Sequence, residues 1–405
     1  MGAKNTEDFE PVYQAASAIW NHQEIRAATD RFFIYSPFVA FIFQPLTIFS
    51  EHAAAFAWIV INAALIFFAI VFAAKEILKR WRPLLRNEPD ASWPWLIAAA
   101  ALLLNYDKLH AEFRLMQIDG LLVLGFAMVL PWLDRQSWIP GLIVGATANV
   151  KYLALIFVPY FVIKRNFRAL LATIVSFFVF MMLSAIEVGF SLAAHYAGDA
   201  IGVIGRLTNI APASGAPMRV IPVSWDRSIS FTSAISRAGD AWGLSDLVSN
   251  MATAIAFAIV VGVVVWIARC HGVRLFGLRD SDSAESRGAR VTLEWAALVV
   301  VAVTFSPQTM ARHFLLLSFV YMVALSILIA NGKSSRMLLV LAMMVTVIGL
   351  TFPFRALGLD AVLKGWRAVG GASWCALVLI LAVISSGAAA IAAGSNPPNS
   401  RTILH

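Results

Sequence analysis

Apolar runs close to bilayer length recur along the chain, separated by short polar stretches. Membrane-spanning helices need roughly 20 apolar residues each, and the runs near 54–74, 93–105, 117–133, 169–193, 250–268 and 294–330 meet or approach that length. Between 138 and 163 the pattern reads as a helical hairpin. The start is different. Glu7-Asp8-Phe9-Glu10-Pro11-Val12-Tyr13 opens a polar segment, and Tyr35-Ser36-Pro37 then leads into an apolar run near 33–49. Pro37 and Pro45 interrupt that run, and proline removes helix hydrogen bonds. A re-entrant or surface-lying segment therefore suits it better than a span, since irregular backbone is tolerated at membrane depth where protein covers it.

Charge orients the pattern. Lys75, Lys79, Arg80, Arg82 and Arg86 crowd one polar stretch; Lys164, Arg165 and Arg168 a second; Arg269, Arg274, Arg279, Arg287 and Arg290 a third; Lys333 and Arg336 a fourth. Short basic loops face the cytoplasm. Alternating the spans between them puts all four on one side, with about eleven spans in total. Residues 1–52 and a large loop at 194–249 then lie outside. The chain is 60% hydrophobic and 13% charged, with a mean hydropathy of +0.78, far from the roughly 25% charged of soluble domains. The expectation is an all-α polytopic membrane protein forming a single membrane domain over 1–405. The net charge of +8 is accounted for by the basic loops, so no nucleic-acid partner is expected. Cys270 and Cys375 are far apart and match no disulfide framework or zinc spacing, and no metal or cofactor is expected.

With this topology the outer face gathers Asp8 and Glu10; Asp107, His110, Glu112, Arg114, Gln117 and Asp119; Lys151; Asp226, Arg227 and Arg237; and Arg312 with His313. Ionisable groups at membrane depth are functional candidates by default, and Asp119 and Lys151, at the edges of apolar runs, are the clearest. Taken singly, Asp107, His110, Glu112 and Arg237 read first as solvated loop residues. Trp93, Trp95 and Trp138 read as interfacial belt residues. A carboxylate can take a proton from a hydroxyl nucleophile, and cationic donors can hold a phosphate and its developing charge. That pairing suits transfer from a phosphate-linked donor. A transporter or lipid flippase is the alternative, but it calls for polar residues along a path and inverted repeats, and no repeat is visible.

The ordered motifs resemble the polyprenol-phosphate-mannose-dependent mannosyltransferases of glycosyltransferase family 87. The resemblance rests on Asp8-Phe9 with Tyr13; on Tyr35-Ser36-Pro37 with Pro45, Trp58 and Asn62; and on Gln117 with Asp119. It continues through Gly141, Gly145, Lys151 and Pro159; through Asp226-Arg227-Ser228 with Arg237; and through Ser306-Pro307 with Arg312-His313. It implies a type C glycosyltransferase-like helix bundle, with about twelve spans expected in the family against about eleven here. It also implies a polyprenyl-phosphate sugar donor, a glycolipid or glycan acceptor, and a bacterial inner (plasma) membrane location among membrane lipids. Asp8 falls on the family's catalytic acid, the general base of an inverting transfer. Tyr13, Tyr35, Gln117, Asp119, Lys151, Asp226, Arg227, Arg237, Arg312 and His313 fall on substrate-binding positions, with Lys151, Arg237 and His313 near the donor phosphate. Asp119, Asp226-Arg227 and Arg312 depart from the family pattern in charge, which bears on the sugar. A lipid phosphate leaves with less charge than a nucleotide diphosphate, so the chemistry does not require a metal. The family also has a helix ahead of the first loop, so an upstream span preceding Met1 is expected.

Overall fold

The computed structural model describes residues 8–29, 33, 35–85, 90–207, 222–277, 284–330 and 333–395. The described secondary structure is helical. Five helices are long and apolar enough to cross a membrane: Glu51–Leu84, Asp246–Cys270, Ser286–Phe305, Ala311–Ala330 and Gly371–Gly394. The other apolar runs form shorter helices, among them Pro37–Ile48, Trp93–Leu104, Asp119–Trp132, Ile139–Val150 and Phe167–Met181.

The longest helix, Glu51–Trp81, shows how sequence sets the ends. Ser50 holds the extended backbone of an N-cap, Glu51 sits in the first turn, and Lys79 and Arg80 sit in the last. Each charge complements the helix dipole at its own end. The Ser286–Phe305 and Ala311–Ala330 helices form the centre, with Trp295, Phe319 and Tyr321 wholly buried. By contrast, the Asp246–Cys270 helix exposes Ile255, Ile259 and Trp266, the apolar exterior expected of a lipid-facing helix.

The hairpin expected at 138–163 is broken at its tip. The Ile139–Val150 helix stops at Lys151, whose backbone is extended (φ −149°, ψ 133°). A 3₁₀ turn, Tyr152–Ile156, and the Phe157–Ile163 helix follow. At 1.5 Å per residue the first arm is only about 18 Å long, so Lys151 stays within the bundle. The first arm packs closely on Phe167–Met181, and Gly141 makes this possible: a Cβ there would collide with the carbonyl of Ala169. Small residues at such crossings let membrane helices approach. Gly141→Ala is expected to cost about 1–3 kcal/mol through overpacking, read as a lower melting temperature. An unchanged melt would show that the crossing is not closely packed.

The N-terminal segment is docked. Glu10–Trp20 is a helix with Pro11 in its first turn. Phe9, Val12, Ala15, Ala16 and Ile19 are buried with Phe43, Trp58, Ile118 and Val150 in a core of their own. The Phe43 and Trp58 rings lie 4.5 Å apart. The proline-interrupted run forms a seven-residue helix, Pro37–Phe43, followed by a 3₁₀ turn, Gln44–Ile48. Within the 194–249 region the described residues also contain helix, including Phe231–Ala241.

Three of the four basic loops converge at one end of the bundle. Arg80 donates to Leu130 O and pairs with Asp134 at 3.1 Å. Lys164 reaches Gly277 O and Glu294. Asp8, Tyr35, Gln117, Lys151 and His313 gather at the other end.

Candidate active site

Asp119 opens the Asp119–Val129 helix, where the positive end of the helix dipole favours a carboxylate. Its carboxylate is buried and forms an ion pair with Lys151. Lys151 Nζ lies 3.0 Å from His313 Nε2, and His313 Nε2 lies 3.9 Å from Asp119 Oδ2. The break after Val150 delivers Lys151 to this cluster, and the 3₁₀ turn Ala311–Leu316 delivers His313 and Arg312. Arg312 links two halves of the site. It lines the same cavity as Lys151 and His313, and its Nη1 stands 3.5 Å from Asp8 Oδ2. The same Asp8 oxygen accepts a 2.6 Å hydrogen bond from Gln117 Nε2. At 40% side-chain exposure, Asp8 is open to an incoming group as well as held in place.

A second layer fixes these groups. The carbonyl of Gln117 accepts from Trp58 Nε1 (2.8 Å) and Asn62 Nδ2 (3.0 Å). Asn62 also donates to Glu112 Oε1 (3.0 Å), which accepts from the Asp119 amide as well (2.9 Å). Gly120 leaves room for the Asn62 side chain, which a Cβ would strike. Burial first, and then the Asp119 carboxylate, push the Glu112 carboxyl from 4.5 up to about 8. Folded Glu112 thus holds its proton more tightly than the unfolded chain does. Its contribution is complete at low pH, and stability falls as pH rises from 4.5 through about 8. Glu112→Gln keeps the accepting oxygen and removes the titration. Thermal melts across that window should decline less steeply in the variant; equal slopes would refute the protonated carboxyl.

The cavity beside the cluster has a volume of about 560 Å³. Its lining includes a cationic cluster, Lys151, Arg312 and His313, with Tyr35 and Asn149; apolar residues, among them Leu153, Ile156, Phe257, Ala302 and Phe305; and the polar Asn250, Thr253, Ser306 and Gln308. Phe257 belongs to the lipid-facing Asp246–Cys270 helix, so the apolar part lies directly behind a helix facing the membrane. Burial pushes the Tyr35 hydroxyl up, keeping it a neutral donor. Ser36 donates to Asn149 Oδ1 at 2.8 Å, tying the Tyr35 segment to the hairpin.

Not every candidate converges here. Arg237, expected beside a donor phosphate, donates instead to four backbone carbonyls, those of Trp225, Ser228, Arg367 and Ala368. Buried carbonyls near helix ends need such partners, and Arg237 supplies them across two segments. Asp226 and Arg227 are exposed, and Arg227 lies over the Trp225 ring at 5.8 Å. Tyr13 donates to the Phe49 carbonyl at 2.8 Å, at the end of the Pro37–Ile48 segment, and does not line the cavity. The neighbouring Ser228 has a clearer role. Its Oγ accepts from Thr309 N at 3.0 Å, and Ile229 N donates to Thr309 O at 2.9 Å; together they hold the turn that carries Arg312 and His313.

The sequence puts Glu112 on the outer face but reads it first as a solvated loop residue, and it does not single out Asn149, whose only signal is an amide two residues before Lys151. Among the described residues no group of three or more His, Cys, Asp or Glu side chains could hold a metal.

Comparison with known proteins gives a consistent picture. The sequence profile of glycosyltransferase family 87 matches residues 33–307. A polyprenol-phosphate-mannose-dependent alpha-(1-2)-phosphatidylinositol pentamannoside mannosyltransferase of Mycobacterium tuberculosis is 26% identical over 303 residues, 67% of this chain and 63% of that protein. An alpha-(1->3)-arabinofuranosyltransferase of Corynebacterium glutamicum is 27% identical over 43% of this chain and 41% of its own length. The chain thus spans less than two thirds of these relatives. No solved structure is a significant match.

Proposed function

The chain belongs to glycosyltransferase family 87, and we propose that it transfers a sugar, mannose in the first instance, from a polyprenyl-phosphate donor to a hydroxyl of a lipid or glycan acceptor. The observation that carries this reading is the cavity: its lining combines a cationic cluster with a set of apolar residues, one of which, Phe257, belongs to a lipid-facing helix. A lipid phosphate has the same division. Its phosphate suits Lys151, Arg312 and His313, and its first isoprene units suit Leu153, Ile156 and Phe257. Asp8, across Arg312 from the cavity, is the general base. It takes the proton of the acceptor hydroxyl, the oxygen attacks the anomeric carbon with inversion, and the bond from that carbon to the phosphate oxygen breaks. The leaving phosphate keeps the electron pair, and the cationic end offsets its charge.

The finer architecture is part of the same proposal: a type C glycosyltransferase bundle of about eleven spans, with the site on the outer face of a bacterial inner membrane and residues 1–52 forming its first outer loop. The 194–249 region is the second, larger outer segment.

The test uses purified full-length protein, labelled polyprenyl-phosphate mannose and a membrane extract as acceptor source. A labelled glycolipid or glycan of inverted anomeric configuration is expected. An arabinofuranosyl donor belongs in the same panel, given the second relative's name. Labelled product from a nucleotide sugar but none from any lipid-phosphate sugar would overturn the reading.

A further inference from the structure

A second cavity lies at the opposite end of the Ile139–Ile163 hairpin from Lys151. It has a volume of about 290 Å³, and the charged residues lining it are Asp134, Arg135, Lys164, Arg165, Arg287 and Arg290. Five are cations. The one acid, Asp134, is engaged by Arg80 at 3.1 Å. Behind the wall, Lys164 and Arg290 approach the buried Glu294 at 2.8 and 3.8 Å. Among the described residues the lining therefore carries a clear positive excess.

Three further features point to what would fill it. The Arg290 side chain is only 3% exposed, and the Glu294 carboxylate 3.8 Å from it is shared with Lys164 at 2.8 Å. The Nε of Arg287 is buried with no hydrogen-bond partner, and an unmade hydrogen bond from a charged donor is a large loss. The residues that flank the lining turn in sequence are apolar and exposed: Ile163, before Lys164, is 51% exposed and Phe167, after Asn166, 63%. A cationic lining whose carrying turn is flanked by exposed apolar residues matches a phosphate attached to acyl chains. Arginine forks pair with phosphate oxygens bidentately, and basic pockets between membrane helices take anionic head groups.

We propose that this pocket binds the phosphate of an anionic membrane phospholipid, separate from the donor site at the other end of the hairpin. Its occupant would bridge the 134–136 turn, the 164–166 turn and the start of the Ala284–Phe305 helix, which the Glu294 cluster already joins from behind.

The experiment measures binding of labelled phosphatidylglycerol and labelled phosphatidylcholine to the purified full chain, with inorganic phosphate as competitor. Phosphatidylglycerol should bind more tightly, and phosphate should not displace it. Arg135→Gln with Arg287→Gln should weaken that binding about 25-fold, at about fivefold per charge near a membrane surface. Should the double variant fail to fold, the exposed Arg165→Gln alone should weaken it about fivefold, with Lys364→Gln as a control of equal charge change elsewhere. Phosphatidylglycerol binding unchanged by these substitutions would place the lipid elsewhere and overturn the proposal. Equal binding of the two lipids, with phosphate occupying the site, would overturn it in favour of a soluble phosphate ligand.

Discussion

Asp8→Asn is expected to lower turnover about a thousandfold, the usual worth of a positioned general base, while membrane insertion and the melting temperature stay close to those of the parent. The amide can still accept from Gln117 Nε2, the partner that fixes Asp8 at 2.6 Å, so the fold loses little. Its weak pairing with Arg312, at 3.5 Å with 40% of the Asp8 side chain exposed, adds little either. What vanishes is a group able to take a proton from the acceptor hydroxyl. Initial rates with a labelled lipid-phosphate sugar, beside a thermal melt, separate the two effects. Full turnover in the variant would remove Asp8 from its role. A collapsed melt would show that it is structural instead.

Lys151→Met should have the larger effect on the folded protein. It strands the buried Asp119 carboxylate, whose ion-pair partner is Lys151, with His313 at 3.9 Å as the remaining nearby base. Removing one member of a buried pair costs about 3–5 kcal/mol. Replacing both with apolar groups of similar volume is often neutral. The double variant Lys151→Met, Asp119→Leu is therefore expected to regain most of the lost stability and none of the activity, because the cavity would still lack its central cation. Activity returning with stability would mean that the pair serves the fold alone.

These expectations rest on features that differed in how readable they were. Asp119 and Lys151 stand out in the sequence because each interrupts an apolar run, and the structure joins them to one another. The basic loops could be assigned to one side because charge bias is a local property, and contacts of Arg80, Lys164 and the 269–277 stretch lie at one end. Glu112 was different. The Tyr106–Arg114 segment has the composition of a solvated helix, and nothing nearby says that this carboxyl is buried. Its partner Asn62 lies 50 residues away. Arg237 misled for the opposite reason: an arginine matched to a phosphate-binding position spends its donors on main-chain carbonyls that only the folded chain brings near. The sequence reads Lys151 as the hairpin tip; the extended backbone there and the 3₁₀ turn that follows are visible only in the fold.

The docked N-terminal segment has a bearing on how the enzyme is made. Asp8 and Arg312 meet across 304 positions of sequence. At typical synthesis rates the ribosome needs roughly half a minute to cover that distance. Throughout that interval Asp8 is present, but the turn bearing Arg312 and His313 does not yet exist. A truncated or stalled product therefore carries a carboxylate with no cationic pocket beside it. The Asp8–Arg312 contact can form only once the 306–313 turn has been made, and on the proposed function incomplete chains are inert towards lipid-phosphate donors.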